Sequence, residues 1–350
     1  MRTETTNISN SEKLGLVSNL STMLAAGIPI LETVDSLLED SKGNQKKVLE
    51  TLREDLMQGK HVYASFARFP LVFDKVTVNL IKASEEAGKL DTSLKDLRDN
   101  IKREMEFMDK IKSALIYPIL IMIVFAAVFL MILVVVIPKI STVFSRLKVD
   151  LPLPTKVLIF TSNILLTYTL PVIVGTIVVF ALIVLLYKRQ KRAFLHLTFS
   201  LPLISQLVKE IDLTRFSRSL YLLLSSGVTI NNALELAQEV VLKKEVAKAI
   251  AHSREGILAG KKLSEGFKDS KKVIPGIMIK IIEAGEKTGT LDKSMQDVSE
   301  FLDYQVSGTL KTLTAVLEPV MLVIVGGLVG AMMLAIIAPI YSMIGQVGTR

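Results

Sequence analysis

The chain has no cysteine and no tryptophan among its 350 residues. Without thiols there is no disulfide framework, no thiolate zinc site and no thiol nucleophile. With seven tyrosines and no Trp, any aromatic belt at a membrane surface is thin. The three histidines, His61, His196 and His252, are scattered and lack the clustered spacing of metal ligands. No GxxxxGK[ST] phosphate loop occurs, which excludes nucleotide hydrolysis by that route. Glu54-Asp55 and Glu85-Glu86 read as solvated carboxylates on charged helix faces, and nothing assembles a Ser-His-acid set. The first residues, MRTETTNISNSEKL, hold no apolar core, so no cleavable signal peptide is expected. These absences point away from an enzyme, a cofactor, a metal site and a nucleic-acid partner.

What is present is apolar sequence in long runs. Half of the residues are hydrophobic, the mean hydropathy is +0.46 and the net charge is +8. Three runs reach the roughly 20 residues needed to cross a bilayer. They predict an all-α, polytopic protein: a first cytoplasmic helical bundle over residues 1–112, a span over 113–138 and a short periplasmic loop over 139–156. A second span over 157–187, a second cytoplasmic bundle over 188–312, a third span over 313–345 and a periplasmic tail over 346–350 complete it. Orientation follows from basic residues at the span ends. Arg98, Lys102, Arg103, Lys110, Lys112, Lys188, Arg189, Lys191, Arg192 and Lys311 lie on one side, against Lys139, Arg146, Lys148, Lys156 and Arg350 on the other. The N-terminus is therefore expected in the cytoplasm.

The soluble parts are punctuated as short amphipathic helices, about six in each bundle. Leu16, Leu20, Met23 and Leu24 share one face; Gly27 closes that helix and Pro29 opens the next. Ile30, Val34, Leu37 and Leu38 form a second stripe, and Val48, Leu52 and Leu56 a third. A turn of helix at Tyr63 to Phe66 precedes another that carries Val72, Val76 and Leu80. Gly88 ends it, and Asp91 is the expected N-cap of a long helix to Ile137, about 70 Å of continuous rod.

The design occurs twice. Leu16–Ile30 aligns with Phe216–Ile230, placing Gly27 over Gly227. At an offset of 201, Gly59 falls on Gly260, Phe66 on Phe267, Glu85 on Glu286 and Gly88 on Gly289. The same offset carries Tyr117-Pro118 onto Glu318-Pro319 and Pro138 onto Pro339. A register held through bundle, rod and span marks an internal repeat. Two copies in one orientation need an intervening span to carry the chain back, so the repeats are parallel. Asp91–Ile137 and Asp292–Ile340 then become two equivalent levers, each with a proline at the membrane surface, Pro118 or Pro319, that removes a backbone bond.

In the third span, Gly326 and Gly330 stand four apart beside Gly327, Ala331 and Ala335. Such small-residue ladders let helices pack closely in a membrane. Glu318 is the only carboxylate at a span's edge and is a candidate to face a partner. The spans otherwise carry almost no ionisable groups, which counts against a transporter, the main rival reading together with a membrane-bound enzyme.

These features resemble the inner-membrane platform proteins of type II secretion and type IV pilus systems, the GspF/PilC family. The resemblance covers Leu16 to Tyr341. It rests on the duplicated LxxLLxxGxxI-type entry (Gly27, Gly227), the GExTG-like corner (Glu85–Gly88 within SEEAG, which begins at Ser84, and Glu286–Gly289 within GEKTG, which begins at Gly285) and the prolines that open the spans. The short segment before the first bundle looks like that of the shorter pilus versions. The resemblance implies a non-enzymatic scaffold in the bacterial inner membrane. It also implies an oligomer coupling a cytoplasmic assembly ATPase to polymerisation of pilin or pseudopilin subunits, beside other inner-membrane assembly proteins and membrane lipid. Residues 188–317 hold 20 basic and 14 acidic side chains, against 17 and 18 in residues 1–112. Lys243, Lys244, Lys261 and Lys262 are therefore expected to face an acidic partner or anionic headgroups.

Overall fold

The structure, a computed structural model, describes residues 4–147, 153–168 and 202–347, together with residues 171, 174, 178 and 182. Among the described residues every regular element is helical. The first set comprises α1 (Asn10–Ala25), α2 (Ile30–Asp40), α3 (Gly43–Met57), α4 (Val62–Phe66), α5 (Lys75–Glu86) and α6 (Leu90–Met131). A π-helical turn, Ile132–Val136, leads to α7 (Ile137–Leu147), and α8 spans Leu153–Thr167. The second set is α9 (Pro202–Ser225), α10 (Ile230–Gln238), α11 (Lys244–Leu258), α12 (Leu263–Lys268), α13 (Gly276–Thr288) and α14 (Leu291–Val347). Val72 lies in the turn before α5, not within a helix. Asp91, expected as the N-cap, is instead the second residue of α6; its carboxylate still complements the helix dipole there. Residues 139–156, expected as loop, are helical to Leu147 and again from Leu153. Most of the remainder of the second span, the basic run from Lys188 to Arg192, and His196 lie outside the described residues.

Local chemistry explains the helix ends. Ser9 and Glu12 form a reciprocal capping box at the start of α1. At its end the Gly27 N–H donates to the Leu24 carbonyl (2.9 Å) and the Ile28 N–H to Met23 (3.0 Å), with Gly27 at φ +84°. Gly227 and Val228 make the same pair of bonds to Leu224 and Leu223, again at φ +84°. This left-handed termination satisfies two orphan carbonyls and requires a residue without Cβ.

Two apolar cores result. One gathers Leu16, Leu20, Leu52 and Leu80 around Phe66 and Phe73, whose rings stack at 3.9 Å. The other gathers Leu220, Ile250, Ile282 and Leu302 around Phe216 and Phe267, which meet edge to face at 6.1 Å. Each of these side chains contributes about 1.5–3 kcal/mol on burial. The cores exchange residues: Val76 of α5 sits in the second and Leu222 of α9 in the first. Residues Met1–Ile111 and Ser205–Thr309 accordingly make one compact unit. Treating residues 1–112 and 188–312 as separate bundles missed that association.

The second unit comprises Lys112–Ile204 and Leu310–Arg350. Among the described residues two helices are long and apolar enough to cross a membrane, within Leu90–Val143 and Leu291–Ile337. Both α6 and α14 run unbroken through their prolines, Pro118 and Pro319. The departure from α-geometry in the first of these stretches is instead the turn before Pro138. There the Ile137 N–H bonds five residues back, to Ile132. The next bond in that pattern would run from residue 138 to Leu133, but proline has no N–H to give. The buried Ser162 hydroxyl of α8 supplies it, donating to the Leu133 carbonyl at 2.6 Å. Thr155 of α8, also buried, donates likewise to the Ala335 carbonyl of α14. Backbone acceptors left open in an apolar setting need such donors.

Candidate functional site

The duplicated corner motif is a pair of helix clamps. The Glu85 carboxylate accepts from the backbone N–H groups of Val62 (2.9 Å) and Tyr63 (3.3 Å), at the amino end of α4. Glu286 accepts from Leu263 (2.5 Å) and Ser264 (3.2 Å) at the start of α12. Each carboxylate thus satisfies two orphan donors at a helix N-terminus, where negative charge is favoured. Gly88 (φ +66°) and Gly289 (φ +73°) then turn the chain into α6 and α14. His61 Nδ1 also lies 3.2 Å from Glu85. The motif serves the fold of each bundle; the pattern of residues revealed the motif but not this role.

Of the lysines expected to face a partner, Lys243 is engaged within the unit. Its ammonium donates to the Ser205 carbonyl (3.0 Å) and hydroxyl (2.7 Å), and its backbone N–H to Asp212 (2.6 Å). Asp212 is fully buried and also takes the Leu242 N–H (3.0 Å). Burial raises its carboxyl above the usual range, and the two backbone bonds hold that rise in check. Lys244, Lys261 and Lys262 are exposed.

Sequence reasoning also missed the joint between the two helical sets. Glu104 of α6 accepts from Arg215 (2.9 and 3.1 Å) and from Arg218 (3.0 Å), both on α9. Arg218 is almost fully buried and lies 5.6 Å from the Phe107 ring centroid. Burial lowers the Arg218 pKa; Glu104 and Asp303 oppose that shift. Lys110–Asp303 (3.4 Å) and Arg103–Glu300 (3.2 Å) tie α6 to α14. The signal available was two arginines three apart, one helical turn, leading into an apolar stripe.

In the second unit, Tyr117, Pro118 and Ile121 face Leu317, Glu318 and Leu322 across a groove of about 120 Å³. Pro118 is half-buried, whereas Glu318 and Pro319 are exposed. Of the small-residue ladder, Ala335 packs against α8, but Gly326, Gly327, Gly330 and Ala331 are exposed. A Cβ at any of those three glycines would meet nothing within 4 Å among the described residues.

The chain thus holds two six-helix sets, each with a Glu clamp and a glycine turn leading into a long apolar helix. The family model for type II secretion system protein F matches residues 16–138 and again residues 216–339. The chain belongs to the type II secretion system protein F family. It is 29% identical over 343 residues to a type IV pilus assembly protein PilC of Myxococcus xanthus, covering 97% of this chain and 82% of that one. It is 29% identical over 335 residues to PilC of Thermus thermophilus (95% and 82%). Against a type II secretion system protein F of Pseudomonas aeruginosa the identity is 29% over 349 residues (97% and 84%). Both matches to the protein F family begin in the first helix of a set, at Leu16 and Phe216, and end at Pro138 and Pro339. The Glu clamps and the apolar helices therefore fall inside the family domain, whereas α8 and Lys188–Arg192 fall between its two copies.

Proposed function

We propose that the chain is a non-enzymatic platform of a type IV pilus or type II secretion machine, embedded in the bacterial inner membrane and coupling a cytoplasmic assembly ATPase to pilin or pseudopilin polymerisation. The reading rests chiefly on one observation: each family domain is a helical bundle whose last helix continues into an apolar stretch long enough to span a bilayer. A movement imposed on the bundles would pass along α6 and α14 without crossing a flexible linker. Three spans, with the second returning the chain between parallel repeats, place both bundles in the cytoplasm with the N-terminus. The exposed Gly326, Gly327, Gly330 and Ala331 suit close approach of further copies in an oligomer. Lys244, Lys261 and Lys262 suit an acidic partner surface or anionic headgroups, and other inner-membrane assembly proteins complete the set.

Affinity purification from gently solubilised membranes is expected to bring down an assembly ATPase and pilin-like subunits; their absence at stoichiometric yield would reject the reading. Topology is testable separately because the chain is naturally free of cysteine. A single cysteine at Ser145 should react with an impermeant maleimide from outside the inner membrane, and labelling only after the membrane is opened would reverse the orientation.

A further inference from the structure

We propose that Glu318 and the groove beside it seat the positively charged end of a partner protein's membrane helix. Lys311 precedes Glu318 by seven residues, about 10 Å along a helix. With the Lys311 ammonium among the headgroups, a zone some 5–8 Å thick, Glu318 reaches the edge of the hydrocarbon. No further charged residue follows until Arg350. Among the described residues Glu318 has no ion-pair or hydrogen-bond partner, although it is exposed on its helix. A carboxylate at that depth calls for a cation, and intramembrane charges are generally paired. The wall beside it is apolar: Pro118 and Ile121 on α6, Leu317 and Leu322 on α14. An apolar helix covering that wall, with one positive group at the level of Glu318, satisfies both surfaces at once.

A phospholipid fits less well. Its phosphate lies deeper than its amine, so an ammonium on Glu318 would push the phosphate into hydrocarbon. The inference rests on the platform reading, in which membrane-inserted subunits are handled at this level of the bilayer.

The test uses the full-length protein in liposomes with a photoreactive benzoylphenylalanine at Leu322, on the groove's lip. The probes are two Ala/Leu single-span peptides, identical except for one Lys or one Gln at the depth of Glu318. The Lys peptide is expected to crosslink at least about tenfold more, a difference of one paired charge. Glu318→Gln should abolish the preference and Glu318→Asp retain it. Equal yields from the two peptides on the unsubstituted protein would overturn the proposal, as would adducts of phospholipid alone or of a second copy of the chain alone. If the preference is absent while ATPase and pilins still co-purify, the seat is wrong and the platform reading stands.

Discussion

Gly285→Ala is expected to destabilise the unit formed by the two helical sets by about 3 kcal/mol, the upper part of the range for overpacking a tight site. A Cβ at Gly285 would lie 2.2 Å from the Ser294 Oγ, 2.6 Å from its Cβ and 3.2 Å from the Leu291 Cα. The hydroxyl can rotate away, but the Ser294 Cβ and the Leu291 backbone cannot move without shifting α14 off α13. That displacement would also disturb Glu286, the next residue, and with it the two N–H groups it holds at the start of α12. Ser294→Gly should restore much of the loss by removing the nearest obstruction. The first copy supplies the contrast. Its equivalent position is Ser84, buried, with its hydroxyl donating to the Leu80 (2.9 Å) and Ile81 (3.0 Å) carbonyls. Ser84→Gly removes no steric support and should cost no more than about 1 kcal/mol, the helix-propensity difference. Thermal unfolding of the detergent-purified protein, followed by circular dichroism, measures all three. Equal effects at the two positions would mean that the corner is not the tight contact it looks.

That asymmetry separates what the sequence carries from what it does not. Many helices and their ends were legible because their causes are local: apolar residues one turn apart, and Gly27 and Gly227 where a left-handed turn is needed. The GExTG-like corner was visible as a repeated pattern. Its role was not, because the partners of Glu286 lie 22 and 23 residues upstream and are backbone groups, which leave no trace in side-chain identity. Lys243 looked like a free surface cation, since nothing in the chain around it announces Ser205 or Asp212 on α9. The glycine ladder was expected to be a packing surface, yet within the described residues only Ala335 of that ladder has found its neighbour. Pro118 and Pro319 drew attention as breaks, whereas the real perturbation arises at Pro138, where a π-turn and a missing N–H coincide. Association of the two helical sets was invisible for the same reason as the corner: Glu104 and Arg215 are separated by 111 residues.

Glu104→Gln tests that association directly and should cost about 2–3 kcal/mol. Removing one member of a buried pair commonly costs 3–5 kcal/mol because the other charge is stranded. The lower figure applies because the Glu104 side chain is 34% exposed and water partly replaces it. Arg218 cannot be so rescued: its side chain is only 9% exposed, and its Nε already lacks a hydrogen-bond partner. The glutamine keeps the shape and one acceptor, so the loss reports charge rather than a cavity. Two controls isolate the cause. Arg103→Gln removes an ion pair whose members are 48% and 56% exposed, and should shift stability by less than about 1 kcal/mol. Arg218→Met in the Glu104→Gln background removes the stranded charge and keeps an apolar stem over Phe107, so it should recover part of the loss even though a second polar contact has gone. If the double variant is instead less stable than either single variant, Arg218 contributes through packing and through Asp303 rather than through Glu104. Because Glu104 lies on α6 and both arginines on α9, the loss should be accompanied by faster proteolysis between the two helical sets. An undiminished protease resistance would mean that the two cores, through Val76 and Leu222, hold the sets together without the ionic joint.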